Sequence, residues 1–211
     1  MLRVSALLAV VPVLVLPASA PAMLNRAEEL YQQTHYQASL ALLNKNTQDA
    51  ATNFLIGRNC FMEGDFKQAT DFILRATEED PNSSEYMDWL GRVYGKRAET
   101  SSFLTAPSLA AKARQAFERA VGLNPRNSDA LSDLFDYYLD APGFMGGGYD
   151  KAVAVAEKIA AIDPPEGYAV KAKLAEKQKL YSSEEQHLRH AVAVAPGEVG
   201  LRIRLAKFLA K

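Results

Sequence analysis

The sequence predicts an all-α solenoid of stacked helix hairpins, and three observations carry that prediction. Small residues recur at fixed spacing: Ala69, Ala76 and Pro81 are echoed by Ala113, Ala120 and Pro125, with Gly57 and Gly91 upstream of the two sets. Proline pairs punctuate the chain at Asp80-Pro81, Asn124-Pro125, Asp163-Pro164 and Ala195-Pro196; the residue before each proline is driven out of the helical region, so each pair stops a helix. Finally, 211 residues that are 48% hydrophobic and 23% charged make an ordinary globular composition, long enough for one continuous core. A repeat of roughly thirty to forty residues with small side chains at fixed places is the mark of hairpins that bury their apolar faces only by stacking.

The first 22 residues carry Arg3, an apolar run from Val4 to Leu16, and then small residues. This is the pattern of a secretory leader, with a cut expected after Ala20 or Ala22; the run is shorter than the roughly 20 residues that a span needs. The chain after the leader, 23–211, reads as one repeat domain. Its segments are a capping hairpin at about 24–45, repeats at 51–81, 82–125, 127–164 and 166–196, and a closing helix at 198–211.

In the first repeat Gly64-Asp65 supplies the turn and Asp80-Pro81 the stop. The second begins at Asn82-Ser83, either of which can cap a helix. It has ten residues more between Gly91 and Ala113 than the first has between Gly57 and Ala69, and the excess falls at the hairpin turn around Phe103 and Leu104. The third repeat carries extra residues at the same place, Asp140 to Asp150. In the fourth, Ser182 and Glu185 form an expected capping box. The closing helix places Leu201, Leu205, Phe208 and Leu209 on one face, as the end of a solenoid requires.

Within this skeleton, MDWLGRVY from Met87 to Tyr94 resembles the first-helix pattern of the tetratricopeptide repeat (TPR) family, and Ala113, Phe117, Ala120 and Pro125 resemble its second helix. The chain departs from that pattern in having Met87 at the usual tryptophan place, Ile159 for the third unit's second alanine, and Glu184 for the fourth unit's first. The resemblance implies a right-handed superhelical solenoid of antiparallel hairpins, here with two insertions at hairpin turns. It also implies that first helices line a concave groove. One subtype of the family grips acidic C-terminal tails with basic residues; Asp129 and Asp133 stand where that subtype's third repeat is basic, which argues against such a ligand.

A net charge of −1 provides no electrostatic footprint for nucleic acid. The stretch from Pro165 onward is net basic and the rest after the leader net acidic. Cys60 stands alone, so no internal disulfide forms, and a buried thiol is expected. Gly143 to Gly148 precedes a helix but lacks the Lys-Ser/Thr ending of a phosphate loop. His187 and His190 have a spacing also common on solvated helices. No cofactor, metal or catalytic set is expected.

The residues singled out for partner binding are of two kinds. Asp129, Asp133, Asp136 and Asp140 form one acidic stripe, flanked on the preceding repeat by Trp89, Arg92 and Lys96 and on the following one by Lys173 and Lys177. These charges either pair between helices or line a groove with Trp89 as its anchor. Phe103, Phe144 and Met145 lie in the two turn segments, where they either cover helix ends or form a contact rim. The expected function is a non-catalytic scaffold holding a peptide or protein partner outside the cytoplasm, or alternatively an obligate accessory or assembly subunit of a cell-envelope complex; membrane contact is not expected.

Overall fold

The computed structural model describes residues 20–210, which form helices joined by short links. The chain divides after Leu43 into two compact units. In the first, α1 (Ala20–Gln32) and α2 (Tyr36–Leu42) form a hairpin. Its turn places Thr34 at φ 62°. Ser39, fully buried, donates its hydroxyl to the Ala27 carbonyl at 2.8 Å. Ala20 to Ala22 make the first turn of α1; the rest of the expected leader lies outside the described residues.

The second unit is a solenoid of antiparallel hairpins: α3 (Ala50–Met62) with α4 (Phe66–Glu79), α5 (Ser84–Thr100) with α6 (Ala106–Leu123), α7 (Ser128–Asp140) with α8 (Tyr149–Ile162), and α9 (Pro164–Lys177) with α10 (Tyr181–Val194). A final helix, α11 (Val199–Leu209), packs on α10. Each hairpin stacks on the next, and α5 also lies against α7. Most of the ten extra residues of the second hairpin lengthen its helices, which have 17 and 18 residues against 13 and 14 in the first hairpin. No described helix is long and apolar enough to cross a membrane.

The small residues mark closest approach. A Cβ added at Gly57 would stand 2.6 Å from Ile73, one at Gly91 2.5 Å from the Phe117 ring, and one at Gly167 2.4 Å from the Ala160 backbone. Ala69, Ala76, Ala113, Ala120, Ala152 and Ala191 are completely buried. Ile159 and Glu184, which replace alanine in the later hairpins, are buried too.

Side-chain caps set the helix starts. Asp49, Asp65, Ser83, Asn127 and Asp163 each accept a backbone N–H from the first turn of the helix that follows. Asn127 also donates to Ser84, which donates to the Ala120 carbonyl, so the ends of three helices are tied. Asp163 both terminates α8 and caps α9, whose first two residues are Pro164 and Pro165; proline suits that first turn because its missing N–H has no partner there anyway. The pair Asp163-Pro164 therefore stops one helix and starts the next with no linker. The expected Ser182 capping box does not form: α10 begins at Tyr181 without a side-chain cap, following Lys179 at φ 60°.

Candidate functional site

The first helix α5 lies beside α3 and α7, and the aromatic and charged residues singled out from the sequence meet where these helices adjoin. On α5, Trp89 is half-buried in an aromatic and cationic cluster. Phe61 and Phe54 meet it edge-on at 5.6 and 6.1 Å, and the guanidinium groups of Arg58 and Arg92 lie over its ring at 5.4 and 5.1 Å. The face around Trp89 is thus less polar than the sequence suggests, because α3 brings Phe54, Phe61 and Arg58 to it.

Arg92 is the centre of the charge network. It reaches Asp88 on its own helix at 3.0 Å, is hydrogen-bonded through Nε to Asp133 on α7, and lies 3.8 Å from Asp129. Asp88 is 2% exposed, whereas Asp129 stands mostly in solvent. Burial is the main force on Asp88 and pushes its pKa up to about 8, with Arg92 opposing and Asp133 and Asp129 adding to the rise. Asp133 is raised for the same reason, burial first. Burial draws Arg92 down, but Asp88 and Asp133 outweigh it and hold the guanidinium above its ordinary value. The buried Asp88 Oδ1 faces no donor, and its carboxyl interacts with that of Asp133. One proton held on Asp88 makes the pair compatible, since two like charges at that range do not both ionise.

Further along, Asp136 accepts from Lys173 at 2.8 Å and Asp140 from Lys177 at 2.9 Å, both across to α9. Glu166 on α9 is paired in turn with Arg204 on α11 at 2.9 Å. All four members of the acidic stripe are therefore paired between helices, Asp129 and Asp133 with Arg92, Asp136 with Lys173 and Asp140 with Lys177, each exposed pair being worth at most about 1 kcal/mol. Lys96 pairs within its own helix, with Glu99 at 2.6 Å.

Between α5, α6 and α7 lies a cavity of about 490 Å³. Its apolar lining comes from Gly95, Ala98, Ala110, Phe117, Tyr137 and Ala141, and its charged lining from Arg92, Lys96, Glu99, Asp133, Asp136 and Asp140. A Cβ at Gly95 would meet nothing within 4 Å, so that glycine keeps the space open.

The two turn segments differ from each other. Phe103 and Leu104, between α5 and α6, are 83% and 76% exposed. In the second, a 3-10 turn at Gly143–Met145 leaves Phe144 82% exposed, while Met145 is half-buried and its carbonyl accepts the Tyr137 hydroxyl at 2.9 Å. Gly146 has φ 91°, and a Cβ at Gly147 would lie 1.8 Å from the Ala141 carbonyl oxygen, so both positions require glycine.

The structure thus gathers Trp89, Arg92, Asp129 and Asp133 at one place and puts Lys96, Asp136 and Asp140 with them around the cavity. Phe103, Phe144 and Met145 belong to the turns. Sequence reasoning missed Asp88, Arg58, Gly95 and the Phe117–Tyr137 wall. The i, i+4 relation of Asp88 to Arg92 was the available signal for the first; the others depend on which helices meet. His190 stacks on Tyr168 at 5.4 Å, and no group of metal-ligating side chains occurs among the described residues. Cys60 is buried, and burial raises its pKa.

This fold is that of a tetratricopeptide-repeat protein. TTC0263, a thermophilic TPR protein of Thermus thermophilus, superposes with a TM-score of 0.74 at 21% identity, over 92% of this chain and 100% of that one. YrrB, a TPR protein with an unusual peptide-binding site, superposes with a TM-score of 0.58 at 19% identity, over 90% of this chain and 92% of its own. MamA gives 0.58 at 19% identity over 79% and 92%. No protein-family model and no curated protein matches the sequence.

Proposed function

We propose that this chain is a non-catalytic scaffold of the TPR family that holds a peptide or protein partner along its first helices, outside the cytoplasm. The observation that carries the reading is the cavity between α5, α6 and α7, apolar within and edged by charges of both signs. A cavity of that make-up takes an apolar side chain and orients the backbone around it through polar contacts. The peptide-binding site of YrrB, on the same fold, supports a peptide as the kind of ligand. Export is supported by the apolar run from Val4 to Leu16 behind Arg3. A fixed role as an accessory or assembly subunit in the cell envelope is the second reading, favoured by the exposed aromatic tips of the two turns, which suit a permanent contact.

Capture from an envelope fraction, followed by titration of each captured protein, tests both readings. The scaffold reading expects partners whose affinity falls at least about tenfold with Gly95→Met, because the new side chain fills the open space without touching the core. One stoichiometric partner indifferent to Gly95→Met supports the accessory reading instead.

A further inference from the structure

Outside the groove, three side chains stand apart from all other large apolar groups described. Phe103, Leu104 and Phe144 are 83%, 76% and 82% exposed, whereas the next, Tyr181, is 58% exposed. They are carried on two turns at the same end of adjacent hairpins. The parallel register of α5 and α7 shows this: Arg92 meets Asp133 near mid-helix, and Glu99 and Asp140 line one cavity near the C-terminal ends.

The chemistry around these tips is as unusual as their exposure. No ionisable side chain occurs from Thr100 to Ala111 or from Ala141 to Gly148. The first cations after the two turns are Lys112 and Lys151; of the carboxylates flanking the turns, Glu99 is paired with Lys96 and Asp140 with Lys177, which leaves Asp150, next to Lys151. The Lys112 ammonium faces the Tyr94 ring at 5.4 Å, and that of Lys151 faces the Tyr138 ring at 5.4 Å and the Gly146 carbonyl at 2.8 Å, so both positive charges meet rings and a carbonyl rather than carboxylates. At 1.5 Å per residue Lys112 lies about 9 Å into α6 from its start, close to the depth at which an interfacial apolar element leaves its cations among headgroups.

From this arrangement we infer that the two turns are a lipid-contacting edge, dipping Phe103, Leu104 and Phe144 into the surface of an anionic bilayer with Lys112 and Lys151 at the phosphates. Charge-free tips enter the acyl boundary without desolvating an ion, which is the large cost of placing a polar loop there. Separate protruding tips suit a deformable lipid surface, which fills the space between them, and lysines behind add attraction to anionic headgroups. The inference is independent of the groove: a scaffold docked by this edge keeps the inner faces of its first helices available.

The test is flotation of the full-length chain with vesicles of phosphatidylcholine and phosphatidylglycerol in equal parts. Replacing Phe103, Leu104 and Phe144 together by serine should leave the melt unchanged and weaken vesicle binding at least about tenfold. Lys112→Gln with Lys151→Gln should remove the preference over pure phosphatidylcholine. Because the N-terminal apolar run can bind lipid by itself, a second readout is local: in a Phe144→Trp chain, bromine-labelled lipids should quench fluorescence beyond the level that Trp89 gives in the parent. A Phe144→Trp reporter that lipid leaves unquenched overturns the inference and leaves the edge to a protein contact.

Discussion

Asp88 and Arg92 lie one helical turn apart on α5 at 3.0 Å, and the carboxyl is almost wholly withdrawn from water while the guanidinium is partly open to it. The arrangement places an acid where burial favours its neutral form and then surrounds it with Asp133 and Asp129, two more carboxylates sharing one arginine. Stability and the charge of the cluster around Arg92 are therefore linked through one proton.

The pH dependence follows. With the folded-state pKa of Asp88 raised to about 8, the folded chain binds more protons than the unfolded chain between the ordinary carboxylate value and about 8. Stability falls as pH rises through that window. Asp88→Asn, which keeps a neutral donor toward Asp133, should flatten the fall. Melting temperatures from about pH 5 to about pH 9 measure it; parallel curves for variant and parent would remove Asp88 as the source.

Two glycines should respond in opposite directions. Gly91→Ala drives a methyl group to 2.5 Å from the Phe117 ring and should destabilise by about 1–3 kcal/mol. Gly122→Ala, where nothing lies within 4 Å, should be neutral or stabilising by up to about 1 kcal/mol. Urea titrations of both variants check the contrast.

Ala113→Leu and Ala120→Leu should each cost about 1–3 kcal/mol, since both alanines are completely buried at helix contacts. Unchanged denaturation midpoints would mean that α6 does not pack as described.

Trp89→Ala removes a ring that two aromatic groups and two arginines enclose. It should lower stability by about 2 kcal/mol, as expected for losing a half-buried aromatic cluster member. Trp89→Phe should recover part of that stability. If Trp89 also anchors the partner, Trp89→Phe separates the two roles by keeping the fold and losing affinity in a titration.

Asp163→Ala should cost about 1–2 kcal/mol, more than a typical exposed substitution, because the side chain caps α9 at the residue where α8 ends. Asp163→Asn should retain most of the cap. Chemical denaturation of the two variants provides the comparison.

The repeat, its helix stops and the small residues at helix contacts were legible in the chain because they are local or periodic facts. A residue before proline leaves the helical region wherever it occurs, and Gly57, Gly91 and the recurring alanines announce close approach by their size alone. The acidic stripe on α7 and its basic flanks were legible as spacings too. The tertiary structure decided which of those charges find partners: Asp136 with Lys173 and Asp140 with Lys177 are 37 residues apart, and only the stacking of α9 on its neighbours brings them within hydrogen-bonding distance. It also decided that Trp89 sits among rings from α3, that Gly95 opens a cavity whereas Gly91 closes a contact, and that Asp88 rather than Asp129 is the buried acid. Burial depends on what lies opposite a side chain, and in a solenoid that is a residue from another helix, of the same hairpin as for Gly91 and Phe117 or of a neighbouring one as for Trp89 and Phe61.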